Sequence, residues 1–412
     1  MKRIYQIVSL AVICSCTINT IKAQSRLLTL DSVLARISAN PALLSYDAKI
    51  SALDAYAAGA KNLDAPKLSA GLYQTPYMIP PNDGSFMISA EQMFTNPAKL
   101  RAKEDYMKGM SKVTAEDKNY MKNQLAAQAQ QYYYDRVILE KKLSLLKNTR
   151  DLLEYMLKDA NIKLTYGKEK LNNIYKAKAG LFELDNTREE LNNEIRQKNI
   201  MLNTLMDRDK QTAFAVDTSI VVKDYEAAFT DTASFAAARS DIRGIDRNIE
   251  LQQLNAKAEY SKRKPDFGIQ AAHMIGFGNM ANQYVLMGAV TIPVVPWASR
   301  EYKANLKGIG FEVDELQQKR METLNEAEGQ VAALRAGISS KKIQLKNYQQ
   351  NIIPAQQNNY KTALLAYEQN TGDLPSVLDG IKSLQTSRME ALDRLQELLQ
   401  LQVAYERENE KY

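Results

Sequence analysis

The feature of the sequence that most constrains the fold is an internal correspondence at a fixed offset of 199 residues. Landmark residues of the first half recur at this offset in the second half: Pro41 with Ser240, Pro66 with Pro265, Pro97 with Pro296, and Arg101 with Arg300. A constant offset over a long stretch indicates two copies of one structural unit. We therefore predict a first repeat at residues 24–206 and a second repeat at residues 239–412.

Each copy shows the same order of local patterns. A stretch of helix-forming residues begins after Asn40 or Arg239 and stops at a proline, which lacks an amide donor and disfavours helix just before it. Alternating apolar and polar residues follow, at about residues 66–94 and 265–294, and predict two strands in each copy. A long helical hairpin completes each copy.

The predicted strands have membrane-spanning length, because a tilted strand needs about 9–11 residues to cross a bilayer. Aromatic residues, which favour membrane interfaces, flank them: Tyr73, Tyr77, Phe94, Tyr284 and Trp297. Known single-chain barrels start at about eight strands, so four strands cannot close a barrel alone. A membrane-spanning sheet would therefore need several subunits. The alternative is a surface hairpin of a soluble protein.

The helical hairpins are predicted at about residues 97–206 and 296–406, with turns near residues 167 and 370. Leucines recur at heptad spacing in these segments, which suits helices packed nearly parallel. The predicted seams are Leu139, Leu143, Leu146, Leu153, Leu157, Ala160 and Leu164, then Leu181, Leu184, Leu191, Ile195, Leu202 and Leu205, and in the second copy Val377, Ile381, Leu384, Leu392, Leu395 and Leu399. Gly167 and Asn370 are residue types that tolerate the left-handed conformation at a helix end.

The composition excludes most catalytic classes. Among 412 residues there are one histidine and two cysteines, so a His/Cys metal cage or a Cys–His nucleophile pair cannot be assembled. No glycine-rich phosphate loop is present. Because the formal charge is only +6, no basic groove for nucleic acid is expected either. We predict a protein that is not an enzyme and needs no cofactor or metal.

The first 23 residues have the pattern of an export signal. Lys2 and Arg3 precede an apolar run, and the small residue Ala23 marks a cleavage position. Two alternatives remain open, namely an uncleaved membrane anchor and lipoprotein processing at Cys16. No later apolar stretch reaches the roughly 20 residues that a membrane-spanning helix needs.

These patterns together resemble the TolC-type outer-membrane efflux family. The residues that carry the likeness are Asn40-Pro41, Arg239-Ser240-Asp241-Ile242, Ile292-Pro293 before Pro296, and Tyr367-Glu368-Gln369-Asn370-Thr371-Gly372-Asp373-Leu374 followed by Val377-Leu378-Asp379. The resemblance implies a mostly α fold with membrane β-strands, in which three subunits pool their strands into a 12-stranded outer-membrane β-barrel. It also implies a tunnel of long helices in the periplasm and an irregular equatorial belt at residues 207–238, where Val216 and residues 220–222 are strand-like.

In that family the hairpin turns farthest from the barrel meet a periplasmic adaptor. Carried over by position, the first tip is Leu164, Thr165, Tyr166, Gly167 and Lys168, and the second tip is Asn370, Thr371, Gly372 and Asp373. The family narrows its tunnel near the tips with acidic residues. Asp379 matches one such position, whereas Ser376 and Asn173 stand where further carboxylates are often found. This departure weakens the expectation of a strongly acidic constriction.

The function that the resemblance implies is a passive exit duct of a tripartite efflux or type I secretion system. Its expected partners are two further copies of the chain, outer-membrane lipid, a periplasmic membrane-fusion adaptor, and an inner-membrane pump of the RND or ABC type. The alternative from another class is a periplasmic or surface coiled-coil scaffold without channel activity. The exported cargo stays open between drugs, metal ions and proteins.

Overall fold

The computed structural model describes residues 27–75, 77, 83–225 and 231–410. The predicted signal peptide, with Cys16 and Ala23, lies outside the described residues, as does most of the turn between the first two strands of the sheet. In chain order the elements are β1 (Leu27–Leu28), α1 (Leu30–Ile37), α2 (Pro41–Gly59), β2 (Lys67–Tyr73), β3 (Ser85–Phe94), α3 (Pro97–Thr165), α4 (Leu171–Leu205), β4 (Ala215–Val216), α5 (Thr232–Ala238), α6 (Ser240–Ser261), β5 (Phe267–Gly276), β6 (Gln283–Val290), α7 (Pro296–Asn347), a π-helical turn (Tyr348–Ile352), α8 (Ile353–Glu368) and α9 (Leu374–Glu408).

Three of the helices begin with a proline. Pro41, Pro97 and Pro296 each occupy the first position of a helix, where the missing amide hydrogen has no intrahelical partner to lose. The side-chain oxygen of Asn40 accepts a hydrogen bond from the Ala42 amide at 2.9 Å. Asn96 caps α3 in the same way through the Ala98 amide at 3.0 Å. These caps satisfy amides that the first helical turn leaves free.

The described residues divide into two compact units. The first unit contains residues 129–222 and 341–400 together with the described residues before Ser38. Its core is a set of heptad side chains from α3, α4 and α9, joined by Tyr367 of α8: Leu139, Leu146, Leu153, Ala160, Leu181, Leu184, Leu191, Ile195, Val377 and Ile381 are all buried in it. Most of the residues in the predicted heptad seams are therefore buried, whereas Leu143, Leu157, Leu164, Leu392 and Leu395 are half-buried.

The second unit contains residues 38–128, 223–340 and those after Gln400. Its sheet has the strand order β2-β3-β5-β6, with every pair antiparallel. The central pair is β3 and β5, in which Phe94 lies opposite Phe267. The sheet thus joins the two strands of the first half to the two of the second half. The last strand ends at Val290, before the predicted limit near 294, because Pro293 lacks the amide that strand pairing needs.

Ion pairs in the second unit hold the start of α6 against the end of α9. The buried guanidinium of Arg239 pairs with Asp241 at 2.7 Å and with Glu408 at 2.9 Å. The carboxylate of Glu410 accepts a hydrogen bond from the Ser240 amide at 2.7 Å. Ion pairs and a hydrogen bond therefore connect the start of α6 to Glu408 and Glu410 within one unit.

The long second arm is interrupted by the π-helical turn at Tyr348–Ile352. In it the Ile353 amide donates to the Tyr348 carbonyl, five residues earlier. Pro354 follows immediately and cannot donate to the carbonyl four residues before it, which favours a local change of helix type. The heptad pattern did not predict this interruption.

In the described parts of the segment at 207–238, regular structure is limited to β4 and α5. Val216 lies in β4, which pairs in parallel with β1, whereas residues 220–222, predicted as strand-like, form no strand. Val221 is 79% exposed, so its apolar side chain is not held by packing within the chain. None of the described helices combines the length and the apolarity that a bilayer-spanning helix needs.

Candidate functional site

The first hairpin turn follows α3 and reverses the chain at Gly167. Gly167 has a φ of +69°, in the left-handed region that glycine adopts without strain. The Lys168 amide donates to the Lys163 carbonyl at 2.9 Å and the Gly167 amide to the Leu164 carbonyl at 2.9 Å. This pattern is a Schellman motif, which satisfies the last carbonyls of the helix. The predicted tip residues 164–168 therefore form one ordered helix end, with Tyr166 exposed.

The second hairpin turn follows α8 and reverses at Asn370, whose φ is +58°. The amides of Thr371 and Gly372 both donate to the Ala366 carbonyl, at 2.9 and 3.0 Å. A side chain at Gly372 would come within 3.0 Å of the Ala366 methyl, so the turn has little room there. The predicted tip residues 370–373 thus form a second compact helix end.

Asp373 caps the helix that leaves this turn. Its Oδ1 accepts hydrogen bonds from the Ser376 amide at 3.1 Å and from the Ser376 hydroxyl at 2.5 Å. These bonds stabilise the charged carboxylate and hold the pKa of Asp373 below its usual value. A carboxylate at a helix N-terminus also interacts favourably with the helix dipole.

A contact between Lys163 and Tyr367 links the two turns within the first unit. The Lys163 ammonium lies 3.5 Å from the centre of the Tyr367 ring and donates to the Tyr367 carbonyl at 3.1 Å. Its other neighbour is Asp159, at 3.5 Å on the same helix. A cation over an aromatic face is attracted by the ring, more strongly where water is excluded. The two helix ends are thus joined by one cation–π contact and one hydrogen bond.

Tyr367 is buried beside the second turn, with 4% of its surface exposed. Its hydroxyl has no well-aligned hydrogen-bond partner among the described residues. Burial, followed by the nearby carboxylates of Asp159 and Glu169, raises the pKa of Tyr367 above the ordinary value for a tyrosine. The ring therefore stays neutral at physiological pH and serves as a packing and cation-binding surface.

The three residues predicted for the tunnel constriction lie in different surroundings. Asn173 is buried, and its amide donates to the Glu169 carboxylate at 2.8 Å. Ser376 is committed to Asp373, as described above. Asp379 is exposed and lines a groove of about 410 Å³ between α4 and α9. Asp379 is the one residue of the three that has a carboxylate, and this carboxylate lies on the surface of the subunit.

A cavity of about 810 Å³ lies between the two turns. It is lined by residues of both tips, by Lys163 and Tyr367, and by the first turns of α4 and α9. Among the described residues no group of three His, Cys, Asp or Glu side chains is placed to hold a metal ion. The lining of the cavity consists mainly of lysine, asparagine and acidic side chains, so the cavity is polar.

The sheet of the second unit presents one exposed face that is mainly apolar, with Gln92 and His273 as its polar exceptions. The registers place these exposed side chains on a common face: Leu68, Leu72, Phe86, Ile88, Phe94, Phe267, Ile269, Ile275, Tyr284, Leu286 and Val290. The opposite face carries Ser89 and Met274, which are buried, and polar residues such as Glu91 and Gln270. A contiguous exposed apolar surface of this kind marks a membrane or protein contact.

The predicted interface aromatics stand at the two ends of this sheet. Tyr73 ends β2 and Tyr284 lies near the start of β6, at one end; Phe94 ends β3 at the other. Trp297 is in the first turn of α7 and is 79% exposed, and Tyr77 is also exposed. All five side chains therefore reach the surface of the subunit.

Comparison with known proteins identifies the fold. No family model matches the sequence, and no curated protein has a matching sequence. Solved structures match over 92% of this chain. CusC, whose crystal structures concern folding and transmembrane channel formation, is 14% identical, with 91% of its chain covered and a TM-score of 0.75. The outer membrane protein VceC from Vibrio cholerae is 13% identical, with 95% of its chain covered and a TM-score of 0.73. The MtrE outer membrane channel from Neisseria gonorrhoeae, in its open state, is 14% identical, with 88% covered and a TM-score of 0.73.

The chain therefore has the fold of outer-membrane channels. The resemblance inferred from the sequence motifs is confirmed at the level of the fold. At 13–14% identity, the residues of the tips and of the apolar face have to be interpreted from their own geometry.

Proposed function

We propose that the chain is one subunit of an outer-membrane exit duct, which passively conducts substrate from the periplasmic side to the cell exterior. The observation that carries this proposal is the exposed apolar face of the four-stranded sheet, bounded by aromatic residues at both ends. Transmembrane strands place apolar side chains toward lipid and polar ones toward the lumen, with aromatic residues at the interfaces. A water-soluble scaffold would leave this apolar face exposed to water, which soluble proteins rarely do over a large contiguous area.

The edges of the sheet support assembly as a homotrimer. Among the described strands, β2 pairs only with β3 and β6 pairs only with β5, so each has a free side. Unpaired backbone groups are costly in lipid, and a closed barrel is the arrangement of strands that satisfies them. Pairing β6 of one subunit with β2 of the next joins the sheets, and three copies of the four strands give a 12-stranded barrel.

In this proposal the helices extend into the periplasm and the two tips dock a periplasmic membrane-fusion adaptor. An inner-membrane pump of the RND or ABC type supplies the energy, because a passive duct supplies none of its own. The compact, hydrogen-bonded turns at 164–168 and 370–373 support a docking role, since they present rigid surfaces. The cargo is a drug, a metal ion or a protein selected by the pump.

We also infer that the two halves of the chain are copies of one unit. The starts of α2 and α6, and those of α3 and α7, lie 199 residues apart. The starts of α4 and α9 lie 203 residues apart, so the second outgoing arm is longer by about one helical turn. The repeat provides two strands per copy, which supports a barrel built from equivalent hairpins.

The test of the duct is single-channel conductance of the detergent-purified chain in a planar bilayer, together with the mass of the heat-sensitive oligomer. We expect a trimer that produces discrete conductance steps. A water-soluble monomer or dimer that never inserts would contradict the duct and favour the coiled-coil scaffold. A trimer that inserts without conducting would contradict passive conduction alone.

Asp379 provides a prediction about ion selectivity. One carboxylate from each subunit near the narrow end of the tunnel attracts cations and repels anions. Asp379→Asn is therefore expected to lower the cation-to-anion permeability ratio, on the order of tenfold at low salt. Reversal potentials in a salt gradient measure this ratio. Asp151→Asn, which removes an exposed carboxylate from α3, serves as the control and is expected to leave the ratio unchanged. Equal ratios for both variants would place Asp379 outside the constriction.

A further inference from the structure

The cavity between the two tips has an uneven charge distribution. Four lysines line it: Lys163, Lys168, Lys170 and Lys176. Its carboxylates are Glu169 and Asp373. The amino end of α4 also opens here, and its N-cap residue Lys170 makes no side-chain cap. Free amides at a helix N-terminus contribute further positive potential.

Both carboxylates of the cavity are already engaged within the turns. Glu169 accepts hydrogen bonds from the Lys170 amide at 2.7 Å and from the Asn173 side chain at 2.8 Å. Asp373 accepts two from Ser376. Lys163 is directed at Tyr367 and Asp159. These hydrogen bonds fix the inner lining in place; because the donors to Glu169 and Asp373 are neutral groups, both carboxylates keep their negative charge.

The other three lysines outnumber the two carboxylates of the lining, and Lys170 lies close enough to Asp373 to help lower the pKa of that carboxyl. Lys168, Lys170 and Lys176 are exposed, and none of them forms an ion pair with any residue that the structure describes. Three ammonium groups at the mouth of one cavity repel one another and attract carboxylates in a partner, which steers encounter and fixes orientation. The cavity volume lies within the range of about 300–1,000 Å³ typical of binding pockets.

We propose that this cavity docks an acidic segment of the partner protein, whose carboxylates pair with Lys168, Lys170 and Lys176. The proposal rests on the docking role that the proposed function assigns to the tips, and it specifies the chemistry of the partner. An adaptor for this duct carries aspartate or glutamate at the end of its docking segment. An adaptor with a basic end is rejected, because its cations would face three unpaired lysines.

The experiment uses the full-length chain in detergent and two fluorescent helical peptides of equal length, one of alanine and glutamate and one of alanine and lysine. Fluorescence anisotropy measures their binding. The test variant combines Lys168→Gln, Lys170→Gln and Lys176→Gln. The matched control combines Lys112→Gln, Lys122→Gln and Lys303→Gln, which removes the same charge from exposed lysines of the second unit.

We expect the glutamate peptide to bind, the lysine peptide not to bind, and the test variant to weaken binding about tenfold at low salt while the control changes it less than about twofold. The difference is expected to shrink as salt is raised. Equal loss in both variants, or equal binding of both peptides, would overturn the proposal. Conductance of the same preparations tests the docking site and the duct separately. Channels without selective peptide binding would reject the docking site alone. Selective peptide binding without channels would reject the duct alone.

Discussion

Replacing Leu286 with arginine is expected to abolish assembly in the outer membrane, whereas the same change at the next residue, Met287, is expected to be tolerated. Leu286 is 72% exposed in the middle of β6 and shares the apolar face with Leu68. An arginine on the lipid side of a barrel costs about 2–4 kcal/mol at the bilayer midplane. Because each subunit of a homotrimer carries the change, this free-energy cost applies three times in one barrel.

Met287 is a matched control because it is adjacent in sequence but points to the opposite face. Its register partner is Gln270, which in turn lies opposite Glu91. An arginine there joins a row that is already polar and contains a carboxylate. We expect Met287→Arg to keep the trimer and to shift ion selectivity toward anions, since lumen substitutions tune selectivity.

The measurement is the amount of heat-sensitive oligomer in the outer-membrane fraction, followed by conductance of whatever oligomer is recovered. Loss of the oligomer in Leu286→Arg alone supports the orientation of the sheet. Loss in Met287→Arg alone reverses the two faces. Tolerance of both changes would show that this sheet does not contact lipid.

Much of the fold follows from local sequence patterns. Alternation predicts the strands, because one face of each strand is mainly apolar and the other is more polar. Heptad spacing predicts most of the buried leucines, and Gly167 and Asn370 mark the turns, since both adopt positive φ there. These signals are readable because each concerns residues close together in the chain.

The arrangement of the tips could not be predicted in the same way. Lys163 and Tyr367 are 204 residues apart, and nothing local in either segment indicates their contact. Position in a motif suggested Asn173 as a constriction residue; its side-chain amide also donates to Glu169, a contact that the motif did not indicate. The cluster of lysines is likewise spread over residues 163–176 and becomes one surface only where the second turn closes the cavity. Long-range packing decides these features.

The contact between Lys163 and Tyr367 leads to the second large prediction, which concerns the stability of the tips. Tyr367→Ala removes a ring that is 4% exposed, leaves a cavity in the core of the first unit and deprives Lys163 of its aromatic partner. Truncating a large buried aromatic side chain costs about 3–5 kcal/mol. We expect the second turn to open locally, because the Ala366 carbonyl, which accepts the amide hydrogen bonds of the turn, belongs to the residue before Tyr367.

Hydrogen exchange of the Thr371 and Gly372 amides measures this opening, since both are bonded to the Ala366 carbonyl. A cost of about 3 kcal/mol corresponds to an increase in exchange of more than 100-fold, because each 1.4 kcal/mol is a factor of ten.

Tyr367→Phe is expected to change exchange less than about fivefold, since the hydroxyl that it removes has no well-aligned partner. Tyr155→Ala, at a tyrosine that is 59% exposed, controls for loss of an aromatic ring elsewhere on the hairpin. Equal exchange in Tyr367→Ala and Tyr155→Ala would show that the turns are stable without the contact. Equally increased exchange in Tyr367→Ala and Tyr367→Phe would show that the hydroxyl, rather than the ring, stabilises the turn.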